Sequence, residues 1–127
     1  MTNTINASLF QEMIQAASTR LNNQAEYVNS LNVFPVPDGD TGTNMGMTIT
    51  NGAKAVSDNT GETVGQVAAI LSKGLLMGAR GNSGVILSQI FRGFGQAIKD
   101  EDVFTAENLA KAFQNGVEVA YKAVMKP

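Results

Sequence analysis

Apolar residues recur at three- and four-residue intervals along nearly the whole chain, the helical period. Leu9, Phe10, Met13, Ile14, Ala17 and Leu21 predict a helix from about Asn6. Asn22-Asn23 reads as a break, with a short second piece from Gln24 to Leu31. Met45, Ile49, Ala53 and Val56 predict a helix over about Gly42–Ser57, ended by the turn Asp58-Asn59-Thr60-Gly61. Val64, Val67, Ala68, Leu71 and Leu75 predict the next over Thr63–Met77, and Ile86, Ile90, Phe94 and Ala97 another over Asn82–Lys99. The last opens at Thr105 as N-cap with Glu107 in its first turn, and Leu109, Phe113, Val117, Ala120, Tyr121 and Val124 form its stripe. No run alternates with period two for long enough to make a strand. The expectation is one all-α domain over residues 1–127.

Two turns interrupt this pattern with chemistry. In Pro35-Val36-Pro37-Asp38-Gly39-Asp40-Thr41-Gly42-Thr43-Asn44, two prolines fix their own φ and hold the approach extended. Asp38 and Asp40 are thereby presented on a turn that opens a helix. Thr41, Thr43 and Asn44 add short oxygen-bearing side chains beside the unpaired N–H groups of the helix start. Hard cations take oxygen ligands and phosphate takes helix-start N–H groups, so the loop has the composition of a metal–nucleotide site. An EF-hand is excluded: counted from Asp38, position six is Thr43 instead of Gly and position twelve is Ile49 instead of Glu. The plain alternative is an Asp-Gly turn followed by a helix cap.

The second turn is Gly78-Ala79-Arg80-Gly81-Asn82-Ser83-Gly84. Asn82 and Ser83 are expected to cap the following helix, Gly81 and Gly84 to let a ligand approach the backbone, and Arg80 to face phosphate oxygens. It is not a Walker A loop, because the Gly-Lys-Ser/Thr ending is missing. Gly93 and Gly95 read as close helix-packing positions.

Composition narrows the chemistry. The 127 residues contain no Cys and no His, which excludes disulfides, thiolate or imidazole metal sites and Ser-His catalysis within the chain. A net charge of −2 argues against an electrostatic nucleic-acid binder. No apolar run approaches a membrane span and no leader pattern precedes the first helix, so a cytoplasmic protein is expected. Charged residues are 16% of the chain, against roughly 25% in an average soluble domain. Together with the apolar stripe that persists to Val124, this predicts a domain incomplete at its C-terminus, with a tendency to homodimerise through uncovered helix faces.

The two turns, from Asn32-Val33-Phe34 through Asn44 and from Gly78 through Gln89, closely resemble the nucleotide-binding domain shared by dihydroxyacetone kinases and bacterial fatty acid kinases. Their wording is most similar to the ATP-binding subunit of the fatty acid kinase. The resemblance implies an antiparallel helical barrel of about eight helices with ATP or ADP at one end and two Mg²⁺ ions. By position, Asp38 and Asp40 match metal ligands and carry catalysis. Thr41, Thr43, Asn44 and Ser83 fall near the phosphates, with Gly81, Asn82 and Gly84 in the second phosphate loop. Where the sugar-kinase branch has a third metal-binding Asp this chain has Val33, and the adjacent Asn32 offers a neutral oxygen instead. That branch also tends to carry His where Thr41 stands. Both departures favour the fatty acid branch, in which a separate carrier protein delivers the fatty acid and the product is an acyl phosphate. The alternatives are a dihydroxyacetone kinase subunit and a non-catalytic nucleotide- or metal-binding helical module.

Overall fold

A computed structural model describes residues 3–31 and 39–125. The described residues form six α-helices and no strand: α1 (Ala7–Asn23), α2 (Ala25–Ser30), α3 (Thr41–Asp58), α4 (Val64–Met77), α5 (Gly81–Ala97) and α6 (Ala106–Met125). One isolated antiparallel bridge, Ile5 to Phe104, ties the segment before α1 to the segment before α6.

Local chemistry sets the helix starts. Asn6 caps α1 by accepting from the Leu9 N–H at 2.9 Å, and Thr63 caps α4 by accepting from the Gln66 N–H at 3.1 Å. Thr105 and Asn108 form a reciprocal box at α6, the Asn108 N–H donating to Thr105 Oγ at 3.1 Å and the Thr105 N–H to Asn108 Oδ1 at 2.8 Å. Each such cap satisfies N–H groups that the helix itself cannot pair, typically for about 1 kcal/mol. The acidic turn Asp100-Glu101-Asp102 serves the fold through its backbone. The carbonyls of Glu101 and Asp102 accept from the N–H groups of Gly65 and Val64 at the start of α4.

α3 is the hub, packing against α1, α2, α4 and α5. It runs antiparallel to α4, with Ala55 beside Gly74 and Asn51 beside Gly78, and parallel to α5, with Asn44 beside Gly81 and Thr48 beside Gly84. That parallel pairing sets the N-termini of α3 and α5 at the same end of the bundle. The core joins Ile49, Ala53 and Val56 of α3 to Val64, Val67, Leu71 and Leu75 of α4, with Phe10, Ile14, Phe94, Ile98 and Phe104 around them. Phe94 is its aromatic centre, 5.0 Å from Phe113, 5.5 Å from Phe104 and 6.1 Å from Phe10 between ring centroids.

The faces that helices bury differ from the expected stripes in two places. α5 and α6 meet through small residues: Gly93 on one, Ala112, Gly116 and Ala120 on the other, all buried. A Cβ on Gly93 would lie 2.5 Å from the Asn115 carbonyl oxygen, and one on Gly116 would lie 2.5 Å from that of Ile90. Gly95 faces α4 instead, where a Cβ would meet Ala68 at an ordinary 3.6 Å. Because the backbones approach this closely, the larger apolar residues of α6 are displaced outward, and Phe113, Val117, Tyr121 and Val124 are exposed. Ile86 is exposed and Ile90 half-buried on α5, and the two line a wholly apolar cleft of ≈ 240 Å³ with Val117, Tyr121 and Val124.

Candidate functional site

The two polar turns that lie about forty residues apart in sequence come together in the fold, as the parallel α3–α5 packing requires. Asp40 is the N-cap residue of α3, yet its side chain makes no capping hydrogen bond and it is exposed. Gly39, just before it, has φ +66, a conformation that glycine adopts without penalty. Asn32 and Asp38 lie outside the described residues, as do Pro35 and Pro37.

Four contacts hold the two helix starts in register. Ser83 Oγ donates to the Thr41 carbonyl at 3.3 Å. Thr48 Oγ donates to the Asn44 carbonyl at 2.8 Å and accepts from the Arg80 N–H at 3.0 Å. Gly81, with φ +67, lies against the Asn44 side chain, and Gly84 against Thr48 Oγ. Thr48 is fully buried and uses its single hydroxyl in both directions, so it is the pin between the turns.

This geometry corrects the expected capping roles of Asn82 and Ser83. Arg80, not Asn82 or Ser83, is the N-cap position of α5, and no side chain caps that helix. Ser83 instead reaches across to α3. The space beside Gly81 and Gly84 is taken by Asn44 and Thr48, so these glycines admit the neighbouring helix. The N–H groups of Gly81, Asn82 and Ser83 have no acceptor among the described residues, while that of Gly84 bonds to the Arg80 carbonyl. On α3 the first turn is partly satisfied from α2. Asn29 Oδ1 accepts from the Thr43 N–H at 3.0 Å and Asn29 Nδ2 donates to Thr43 Oγ at 2.9 Å. A Cβ on the buried Gly42 would collide with the Ala25 carbonyl, so α2 closes directly over this turn.

Asn29 and Thr48 were not recognisable as site residues from sequence. Asn29 sits on a six-residue helix without periodic signal, and Thr48 reads as one more polar residue within α3. Only the α2–α3 and α3–α5 contacts give either a partner.

The arrangement is an exposed carboxylate in front of two adjacent, similarly directed helix N-termini, with the Arg80 cation at the edge. Helix starts carry partial positive charge and point N–H groups outward, so they attract anions. Asp40 attracts cations. An ion pair or chelate that combines both signs, such as a metal-bound phosphate, fits better than either alone. Among the described residues no group of three acidic, His or Cys side chains converges. No helix among the described residues is long and apolar enough to cross a membrane.

Known proteins place this architecture. The chain is 57% identical over all 127 residues to an uncharacterized protein of Staphylococcus haemolyticus. It is 56% identical over the same length to uncharacterized proteins of Staphylococcus epidermidis and Staphylococcus aureus. It spans 23% of the length of each of these relatives. The family model described as the DAK2 domain matches residues 35–127, a range that holds both turns and all of α3 to α6. The all-helical fold agrees with that match, and the chain belongs to the DAK2 family of kinase-related helical domains.

Proposed function

We propose that this chain is the ATP- and Mg²⁺-binding part of a larger kinase that phosphorylates a fatty acid carboxylate presented by a carrier protein, releasing an acyl phosphate. The observation that carries the reading is the side-by-side placement of the α3 and α5 N-termini behind Asp40. The donor set suits the metal: Asp40 and the Thr41 hydroxyl are hard oxygen donors, and the uncapped Asp40 carboxylate is free to bind, with Asp38 and Asn32 as its proposed companions. When bound, Mg²⁺ supplies charge neutralisation to the phosphates and to the leaving diphosphate.

The chain's own groups do the positioning. The N–H groups of Gly81, Asn82 and Ser83 receive phosphate oxygens, and the α5 dipole adds to their attraction. Asn29 fixes Thr43, and Thr48 fixes Asn44 against Arg80, so the two turns do not reorganise when the ligand arrives. No base is needed for a carboxylate acceptor, which is already ionised at pH 7. Thr41 occupies the place where the sugar-kinase branch tends to have His, and Val33 the place of its third Asp; both favour a carboxylate over dihydroxyacetone.

Thermal unfolding with ADP, with and without Mg²⁺, tests the site. A midpoint raised by ADP and Mg²⁺ together, and returned by EDTA, is expected by mass action. No shift at millimolar ligand would refute a nucleotide site. In the longer protein, phosphoryl transfer to a carrier-bound fatty acid, with dihydroxyacetone inert, is the expected outcome. The reverse preference would move the protein to the sugar-kinase branch, and nucleotide binding without either transfer would make it a non-catalytic module.

A further inference from the structure

We propose that the groove between α4 and α5 is a docking surface for an acidic amphipathic helix of a partner protein. From Thr63 to Lys99 the sequence contains four cations, Lys73, Arg80, Arg92 and Lys99, and no acid, in a chain whose net charge is −2. Three of the four, Lys73, Arg92 and Lys99, line one open groove of ≈ 370 Å³, and all three are exposed. Among the described residues the one ion pair is Lys111 with Glu107 on α6, so none of the groove cations is neutralised there. Among the described residues Arg92 reaches only Gln89 Oε1, at a long 3.5 Å.

Most of the lining surface is apolar, with Ser72, Ser88 and Gln96 as its uncharged polar members. Ala69, Leu76 and Gly95 contribute to the floor, and Leu76 is 59% exposed, unusual for a leucine on a well-packed helix pair. Cations on a rim around an apolar floor match a helix with an apolar stripe flanked by carboxylates. Arg92 lies on α5 and Lys99 in the turn that follows it. α4 runs antiparallel to α5, since Gly65 lies against Lys99 and Ala68 near Gly95, and this sets Lys73 across the groove near the level of Arg92. A flat anionic membrane would touch the rim but not a concave floor. Nucleic acid is disfavoured because no aromatic side chain lines the groove for stacking. The groove ends at Leu76, just before the Gly78–Gly84 turn, so a docked partner would lie beside the candidate site.

The proposal stands apart from the kinase reading, since it uses neither Asp40 nor the helix starts. The test is fluorescence anisotropy with a labelled synthetic helix of about five turns (~18 residues), carrying Leu on one face flanked by Glu pairs seven apart. Saturable binding is expected, weakened about tenfold or more by the double variant Arg92→Glu, Lys99→Glu, and weakened several-fold as salt rises from 50 to about 300 mM. Lys122→Glu on α6 should leave binding unchanged. A peptide with Lys in place of Glu should not bind. Absence of saturable binding, or binding insensitive to the double variant, would overturn the proposal. So would capture by phosphatidylglycerol vesicles, or competition by inorganic phosphate, with the peptide inert. An unchanged circular-dichroism melt of the double variant shows that its fold is intact.

Discussion

Replacing Thr48 by Val is the sharpest perturbation of the site. The two side chains have nearly the same shape, and Thr48 is fully buried, so the change removes one hydroxyl and little volume. That hydroxyl accepts the Arg80 N–H at 3.0 Å and donates to the Asn44 carbonyl at 2.8 Å. The Asn44 carbonyl retains its place in the α3 ladder, whereas the Arg80 N–H loses its acceptor beneath the packed turn. A buried donor left unpaired costs about 1–3 kcal/mol. For a chain of this size, roughly 3–6 °C of midpoint accompanies each kcal/mol, so the unfolding midpoint should fall by roughly 3–18 °C. Thr48→Ser keeps both hydrogen bonds and loses one methyl, about 1 kcal/mol. The pair of variants separates packing from register. Thr48→Val should also lose much of the stabilisation by ADP–Mg²⁺, because Arg80, Gly81 and Asn82 are no longer held against α3, while Thr48→Ser should keep it. Differential scanning calorimetry with and without ligand reads both effects. A Thr48→Val protein as stable as wild type, with the same ligand shift, would show that the two turns are not pinned by this hydroxyl.

Asp40→Ala should leave the unliganded midpoint nearly unchanged, because the carboxylate is exposed and caps nothing, yet abolish the Mg²⁺-dependent part of ADP binding measured by titration calorimetry; Asp38→Ala is expected to do the same. Asn29→Ala should cost about 0.5–2 kcal/mol, the range of a lost cap, and lower ADP–Mg²⁺ affinity, since the Thr43 N–H and hydroxyl both lose their partner; an unchanged denaturant midpoint would disprove the clamp. Gly116→Val should destabilise by about 3 kcal/mol or more, because its Cβ meets the Ile90 carbonyl, a backbone atom that cannot step aside, and circular dichroism melts would show it. Exposed Val117, Tyr121 and Val124 should support self-association that rises with concentration in sedimentation velocity and is suppressed by Tyr121→Lys.

The helices were legible because period, caps and breakers are local. Asn22-Asn23 lies at the break between α1 and α2, Thr63 and Thr105 stand at helix starts, and the helix bounds differ from the expected ones by one or two residues. The two polar turns were legible for the same reason, since Pro, Gly and short oxygen side chains constrain the backbone where they stand. Which face each helix buries was not local. The large residues of α6 predict a buried stripe, but Ala112, Gly116 and Ala120 take the interface because two backbones in contact exclude anything larger, and Val117 and Tyr121 turn outward. The α5 cap was misplaced likewise: Ser83 looks like a helix cap until the parallel packing offers it the Thr41 carbonyl. Nothing in the sequence states that α3 and α5 run parallel, yet that direction alone puts Asp40 and the Gly81-Asn82-Ser83 turn at one end. The sequence determined the elements and the chemistry of the turns by itself. The tertiary structure decided which turns meet, through Thr48 and Asn29, because a hydrogen-bond partner thirty-two or fourteen residues away exists only after the helices have packed.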